Sequence, residues 1–500
     1  MLGKLGLISL SAVLYAAAFP PASVRVLVWV ALVPLFAALL ACRSSWRAML
    51  VGAAWALLMT FLVGRCLPPA VVLFHQQSAA AGWGLLALAG ILTAVPHYAV
   101  AAFLIHRLAE RETATWPVLV GASWAVTEWA RVALPPGNPW AIAGLATIDL
   151  PDLVGLARLT GVYGLSFLVA AVNAAVLVLL RRGVPWRAKW QGVLVTAGML
   201  LVAVYLSAAT RPPALRGEEA PVVALVQPAL PPDTALSSAD HRRRLHAHLE
   251  LTKEALRYQP DIVVWPESSL GFFLEEDGAW RSDLRLRAAL EGTELIAGGP
   301  RLRADESVAN SMFVLGERGW PVGIYDKQVL LPLGEWFPAS TEGILRRDPG
   351  AAPRSYAVGE HNEVLLTSAA PMGAAICNEI MVPGILRTHV FNGARVLLNP
   401  ANDAWFPHPG CPMGLFDIAR MRAVEFGRPL IRISSSGPSA VIDPSGAAVA
   451  HIPAGESGFR LAPVAPLRTS TPYTRFGDVF AGLCALLVGG TLARQSRTAR

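Results

Sequence analysis

Charged side chains are scarce: Asp, Glu, Lys and Arg make up 15% of the 500 residues, against 54% hydrophobic. So little charge excludes an ordinary soluble globular protein, and the length exceeds that of one compact domain. Cysteine is scarce too. Five cysteines, with no C-x-x-C pair among them, exclude a regular disulfide framework and the usual thiol oxidoreductases. The chain has no G-x-S-x-G elbow, no H-E-x-x-H, no Walker loop and no G-x-G-x-x-G fingerprint. Serine hydrolases, zinc enzymes and nucleotide-dependent enzymes thereby lose their usual signals. Internal repeats and long low-complexity linkers are also missing. The formal charge of +7 gathers between apolar runs and in the tail, with no nucleic-acid motif and no basic-aromatic stripe, so no nucleic-acid partner is expected.

What the chain has in abundance is apolar runs near the roughly 20 residues that cross a bilayer. Seven precede position 210, at 5–19, 24–41, 49–63, 83–104, 116–132, 161–180 and 192–208, and an eighth lies at 479–492. With the N-terminus on the cytoplasmic side, the inner segments hold twelve Lys and Arg residues and the short outer loops four, namely Arg25, Arg65, Arg131 and Arg158. That asymmetry satisfies the positive-inside rule and sends the polar block after 210 to the outer side. Lys4 and the apolar run behind it also fit a cleaved signal peptide, but a second span follows within a few residues. The expected organisation is a membrane domain of seven helices at 1–210, a globular domain at 211–475, and a last transmembrane helix with a cytoplasmic tail at 476–500.

The polar block alternates short runs rich in β-branched residues (222–226, 262–265, 295–297, 312–315, 364–366, 374–376, 396–398 and 430–433) with helical patterns at 241–258 and 415–426. This predicts an α/β or layered α+β domain. Three polar residues fall at or just after such runs: Glu267 in "DIVVWPESS", Lys327 in "GIYDKQVLLPLGEWFP" and Cys377 in "MGAAICNEI". Strand ends are where α/β domains assemble reactive groups. The three residue types fit one mechanism. A thiol is mostly protonated at neutral pH and needs a base, which Glu267 supplies; the Lys327 ammonium stabilises the oxyanion formed when sulfur attacks a carbonyl.

These motifs resemble the nitrilase superfamily with its Glu-Lys-Cys triad and, within it, the apolipoprotein N-acyltransferase family. "VVWPESS", "YDKQVLLPLGEWFP" and "ICNEI" look like the three triad segments in order and spacing. "NDAWF" (402–406), "ARMRAVEFGRPLIR" (419–432), "GNPWAIAG" (137–144) and "GVYGLSFLVAAVNAAV" (161–176) extend the resemblance over nearly the whole chain. It implies about eight transmembrane helices plus an αββα sandwich in the periplasm, in a multi-pass protein of the bacterial inner membrane with both termini cytoplasmic. It also implies a ping-pong reaction. Cys377 takes an acyl chain from a membrane phospholipid as a thioester, and the α-amine of a diacylglyceryl-cysteine apolipoprotein then accepts it. No cofactor or metal is implied, since the phospholipid is the acyl donor. A monomer is expected.

By the same resemblance Glu335 and Glu379 assist the triad, beside Asn378. Trp336, Phe337, Asn402, Asp403, Trp405 and Phe406 lie in aromatic, Pro/Gly-rich segments expected to form substrate loops that admit acyl chains and exclude water. Each glutamate also fits a plain salt bridge to an arginine. The chain departs from the family pattern at Asn378, where tyrosine is usual, at Pro407, where glycine is usual, and after "VALVQPALPPD", where a tryptophan is missing. Cys42, Cys66 and Cys484 lie in or beside spans and read as packing residues, while Cys411 shares the outer compartment with Cys377 and is a candidate for pairing. Other readings are a membrane-anchored amidase or hydrolase with water as acceptor, a paralogue with another acyl acceptor, a binding protein that keeps the fold, and a Cys-His site using His389 or His408.

Overall fold

The computed structural model describes residues 2–109, 114–212, 220–230, 238–274, 293–316, 319–336, 355–360 and 363–498. They divide into two compact units, one of Met1–Pro68, Ala79–Arg211 and Thr471–Arg500, the other of Pro69–Ser78 and Pro212–Ser470.

The first unit is helical. Four helices, Ser45–Val63, Val162–Leu180, Trp186–Ala209 and Val479–Arg497, are long and apolar enough to cross a membrane, and a fifth span results if Ala79–Thr93 and Val95–Leu108, bent by 44°, are counted as one. All eight apolar runs are helical, but length and composition do not make each of them a span. The run at 24–41 breaks into Arg25–Leu27, Val28–Ala31 and Val33–Leu40. Pro34 and Pro96 sit in the first turns of Val33–Leu40 and Val95–Leu108, where a missing N–H ends the preceding helix. The Trp116–Ala133 helix buries Glu128 and Arg131. Glu128 is satisfied there, accepting from Trp124 Nε1 at 3.0 Å, from the Ala143 amide at 3.0 Å and from the hydroxyls of Tyr15 and Tyr98. Gly52 lets its helix approach another closely: a Cβ there would lie 2.5 Å from the carbonyl oxygen of Tyr98.

The second unit carries eleven strands among its described residues: β1 (Val222–Gln227), β2 (Ile262–Val264), β3 (Glu294–Leu302), β4 (Val308–Leu315), β5 (Pro321–Asp326), β6 (Met372–Ala374), β7 (Val396–Ala401), β8 (Leu430–Ser434), β9 (Ser439–Ile442), β10 (Ala448–Ile452) and β11 (Gly458–Pro463). They form a six-stranded sheet in the order β11-β1-β2-β3-β4-β5 and a five-stranded sheet in the order β10-β9-β8-β7-β6. In each sheet three neighbouring strands run parallel, β1-β2-β3 and β6-β7-β8, and the rest pair antiparallel.

Side chains alternate between the faces of a strand, and the cores follow that period of two. Val223, Leu225, Val264 and Ile296 of the first sheet share one core with Ala374, Leu398, Ile431 and Ile433 of the second. Ala224, Val226, Val263 and Leu295 face the other way, onto Leu245 and Leu249 of the Ser238–Leu256 helix. The Pro383–Phe391 and Gly410–Phe426 helices pack on the second sheet. The layers therefore run helix, sheet, sheet, helix, and both parallel cores are buried on two faces, which explains the nearly continuous apolar runs. The run expected as a strand at 364–366 makes only a single bridge, Leu365 to Met372, and the strand expected at 374–376 lies at Met372–Ala374.

Leu398 is fully buried between the sheets. Leu398→Ala should lower the stability of the purified protein by about 2–5 kcal/mol through lost burial plus a residual cavity, read as a fall in the thermal unfolding midpoint.

Candidate active site

The strand ends bring the three sequence-predicted residues into one neighbourhood. Glu267 follows β2 in a turn where Ser268 has φ +57°, and Gly298 on β3 leaves room for it, since a Cβ there would lie 2.8 Å from the Glu267 Cα. Lys327 directly follows β5, its N–H donating to the Asn310 carbonyl at 2.8 Å. Cys377 follows β6 and opens the short 3-10 turn Cys377–Met381 with φ +52°. A non-glycine residue in the left-handed region stores local strain, and such positions gather where a reactive group must be aimed. Leu333, beside Glu335, is a third at φ +63°.

At the centre lies a buried ion cluster. The Lys327 ammonium, 1% exposed, donates to Glu335 Oε1 at 2.8 Å and to Glu267 Oε1 at 3.1 Å. Asn310 Nδ2 on β4 donates to the same two oxygens, at 2.8 Å to Glu267 and 2.7 Å to Glu335. The second oxygens are held by backbone amides: Asn402 N–H to Glu267 Oε2 at 2.8 Å and Leu331 N–H to Glu335 Oε2 at 2.7 Å. Burial works against the Lys327 charge, but Glu267 and Glu335 overcome it and raise its pKa above the ordinary value. Cys377 is a free thiol, 4% exposed. Burial first, and the Glu267 charge second, push its pKa well above normal, while Lys327 pulls the other way. The resting sulfur is therefore protonated, and a base has to take its proton at the moment of attack.

A second set of groups fixes the Cys377 turn. Glu379 accepts from the Ile376 amide at 2.6 Å, the Gln328 and Val329 amides at 2.6 and 2.9 Å, and the Tyr325 hydroxyl at 3.0 Å, clamping the nucleophile turn to the segment after Lys327. Asn399 Nδ2 donates to the carbonyls of Ala375 (2.6 Å) and Cys377 (3.2 Å). Asn399 is held in turn by Arg432, its ladder neighbour on β8, and Arg432 also donates to Asp403 Oδ2 at 2.7 Å. Arg422 Nε reaches the Ile380 carbonyl at 3.1 Å.

Glu335 and Glu379 thus sit inside the site rather than on surface salt bridges. Asn378 is buried, its Nδ2 donating to the Val329 carbonyl at 3.1 Å and its Oδ1 without a hydrogen-bond partner among the described residues. Asn402 reaches the site through its backbone, with its side-chain oxygen accepting from Ser435. Asp403 is not a loop-surface residue: it is 1% exposed and bound to Arg432 and Ser434. Trp405 packs its ring on Phe74, centroids 4.2 Å apart. Trp336 is half exposed, Phe406 caps its own short turn through its backbone, and Phe337 lies outside the described residues. His389 packs against Tyr325, and His408 Nδ1 accepts from the Gly410 amide.

Sequence reasoning missed Asn310, Tyr325, Asn399, Arg432 and Tyr356. Burial and the Glu335 charge raise the Tyr356 hydroxyl to about 12. A signal existed for Asn310, Asn399 and Arg432: each is a polar residue inside a mostly apolar, buried strand, which needs a partner.

Asn310→Ala leaves both carboxylates short of a donor and should lower stability by about 1–3 kcal/mol in thermal or denaturant unfolding. Burial raises Glu379 from 4.5 to about 7, against its hydrogen bonds and Lys327. Between those pH values the unfolded chain has released this proton and the native one still holds it. The Glu379 contribution therefore disfavours folding increasingly as pH rises from 4.5, levelling off above about 7. Glu379→Gln removes that dependence, so the unfolding midpoint of the variant relative to the wild type should rise between about pH 5 and about pH 8.

Residues 222–472 match the carbon-nitrogen hydrolase family, and residues 11–175 match the apolipoprotein N-acyltransferase N-terminal domain. The chain is 29% identical over 495 residues to the apolipoprotein N-acyltransferase of Geobacter metallireducens, covering 95% of this chain and 92% of that protein. It is 30% identical over 474 residues to that of Caulobacter vibrioides, covering 90% and 86%. Among solved structures, a Saccharomyces cerevisiae member of branch 10 of the nitrilase superfamily matches 49% of this chain and 90% of its own length, at 20% identity and TM-score 0.39. With both of its parts matched and relatives aligned along almost its full length, the chain belongs to the apolipoprotein N-acyltransferase family, in the carbon-nitrogen hydrolase superfamily.

Proposed function

We propose that this protein transfers an acyl chain from a membrane phospholipid to the N-terminal α-amine of diacylglyceryl-cysteine apolipoproteins, through a thioester on Cys377. The observation that carries the reading is the convergence of Glu267, Lys327 and Cys377 at three strand ends in a chain of this family.

In the first half-reaction Glu267 takes the Cys377 proton as sulfur attacks the ester carbonyl. Two of the three Lys327 N–H groups are engaged by Glu267 and Glu335 among the described residues, so the third is the donor for the developing oxyanion. Collapse breaks the C–O bond, Glu267 returns its proton to the departing glycerol oxygen, and a lysophospholipid leaves. In the second half the acceptor amine, having shed its extra proton, attacks the thioester carbonyl while Glu267 takes one N–H proton. The C–S bond breaks and the proton passes to the Cys377 sulfur. The product is an amide, and the thiol is restored. The acyl donor supplies everything that is transferred, so the reaction needs no cofactor.

Glu335 holds Lys327 together with Glu267, and Glu379 with Asn399 holds the Cys377 turn. Asn378 stands beside the nucleophile in the place of the family tyrosine and is our candidate for tuning substrate preference. Trp336, Phe337, Trp405 and Phe406 are candidates for the walls that meet acyl chains. The basic inner loops support an inner-membrane protein with cytoplasmic termini, a periplasmic catalytic unit and about eight spans, three of them short or bent in helical structure. It acts as a monomer.

Wild-type protein and Cys377→Ala, incubated with phospholipid and then with a diacylglyceryl lipopeptide, provide the test. Mass spectrometry should find an acyl-sized increment on the wild-type Cys377 peptide that disappears as the lipopeptide becomes N-acylated, and no increment on the variant. Lipid binding without any increment overturns the nucleophile assignment, and acyl release as free fatty acid in the presence of lipopeptide makes the protein a hydrolase.

A further inference from the structure

The nucleophile and the base sit on different segments, and among the described residues no hydrogen bond joins Cys377 to Glu267 directly. A proton passes only across hydrogen-bonding distance, so their separation has to be fixed from elsewhere. Glu379 supplies one route, clamping the Cys377 turn to the amides of Gln328 and Val329, next to the Lys327 that holds Glu267. A second route runs through Arg432. This side chain lies on β8 opposite Asn399 of β7 and is wholly buried. One of its terminal nitrogens donates to Asn399 Oδ1, and the Asn399 amide donates in turn to the carbonyls of Ala375 and Cys377. The other donates to Asp403 Oδ2 at 2.7 Å, an oxygen that also accepts from Ser434 Oγ, two residues along β8. Asp403 follows Asn402, whose backbone N–H holds Glu267 Oε2. Gly437 lets the turn after β8 close on this pair, since a Cβ there would overlap the Asp403 carboxylate.

One guanidinium thus reaches the carbonyl of the nucleophile through Asn399 and the amide that holds the base through Asp403. As structure alone the ion pair adds little. Arg432 Nε and Asp403 Oδ1 are buried without a hydrogen-bond partner among the described residues. A buried ion pair left partly unsatisfied is weak support for a fold, and apolar side chains of similar volume often serve as well or better. What apolar side chains cannot do is address two acceptors at a fixed angle, as the planar guanidinium fork does. We infer that Arg432 is a positioning residue of the reaction, setting the Cys377 turn against the Glu267 carboxylate through Asn399 and Asp403. The inference rests on the function proposed above. It applies to both half-reactions, because Glu267 takes a proton in each. Being wholly buried, Arg432 touches neither substrate.

Thioester formation on wild-type Cys377, read by mass spectrometry, checks the underlying function; if it never forms, that reading fails by itself. Arg432→Met alone would strand the Asp403 carboxylate in the interior, so the test combines Arg432→Met with Asp403→Leu and removes both charges together. The double variant should keep a thermal unfolding midpoint close to that of the wild type. Its rate of Cys377 acylation at saturating phospholipid should nevertheless fall about tenfold or more, with KM for phospholipid and lipopeptide within about twofold. A purely structural role predicts the reverse, a shifted midpoint with the rate per folded molecule unchanged. That result, or a rise in KM that accounts for the loss, overturns the inference. Should the double variant fail to fold, Arg432→Lys decides the matter, because it keeps a charge for Asp403 and loses the fork. It should show the same fall in rate at unchanged KM, and a wild-type rate overturns the inference. Asn399→Leu cuts the same route on the nucleophile side. Added to Arg432→Lys, it should slow acylation by much less than the product of the two single losses, and losses that multiply overturn the inference.

Discussion

Everything in the catalytic unit is arranged around one buried cation. Lys327 is sealed from water between two carboxylates, and a charge in that position is tolerable only if its partners are close and their remaining lone pairs are also satisfied. One ammonium between two carboxylates leaves an excess negative charge. Asn310 and the amides of Leu331 and Asn402 spread that excess over fixed N–H dipoles. The consequence reaches the fold, because these groups come from β4, from the ends of β2 and β5, and from the segment after β7. No sheet slip can occur without unpairing a buried charge, so the cluster pins the strand ends in register as well as the chemistry.

The same cluster, with burial, keeps Cys377 as a thiol. Lys327 alone would favour a thiolate, but burial and the nearby Glu267 charge together outweigh it. A resting thiolate would be more open to oxidation than a thiol. In the proposed mechanism the buried thiol becomes reactive when a carbonyl arrives for the Lys327 ammonium to polarise and Glu267 takes the proton. The positive φ of Cys377 fits this, since the strained turn is held from four sides by Glu379, Asn399, Arg422 and the β6 backbone rather than by the sulfur itself.

Much of this was legible in the sequence, for reasons that can be named. The parallel strands β1, β2, β3, β7 and β8 are buried on both faces and so appear as apolar runs. β5, β10 and β11 lie at or against sheet edges with exposed residues along them, and no run marks them. Glu267, Lys327 and Cys377 were visible because chemistry needs those residue types after strands. Asn310 and Arg432 were hidden because their work is done across the sheet, on partners 25 to 43 residues away in the chain. In the helical unit, hydropathy located every apolar run but could not show that Pro34 and Pro96 divide two of them, nor that Glu128 has enough donors to be buried.

Asn378 shows where local pattern and site chemistry part. An asparagine next to a nucleophile, buried with one amide edge bonded and one oxygen unpaired, is costly unless something completes it. The unpaired oxygen is an acceptor, and the nearby donors of Asn310, the Gln328 amide and the Asn402 amide are already directed at Glu267, Glu335 and Glu379.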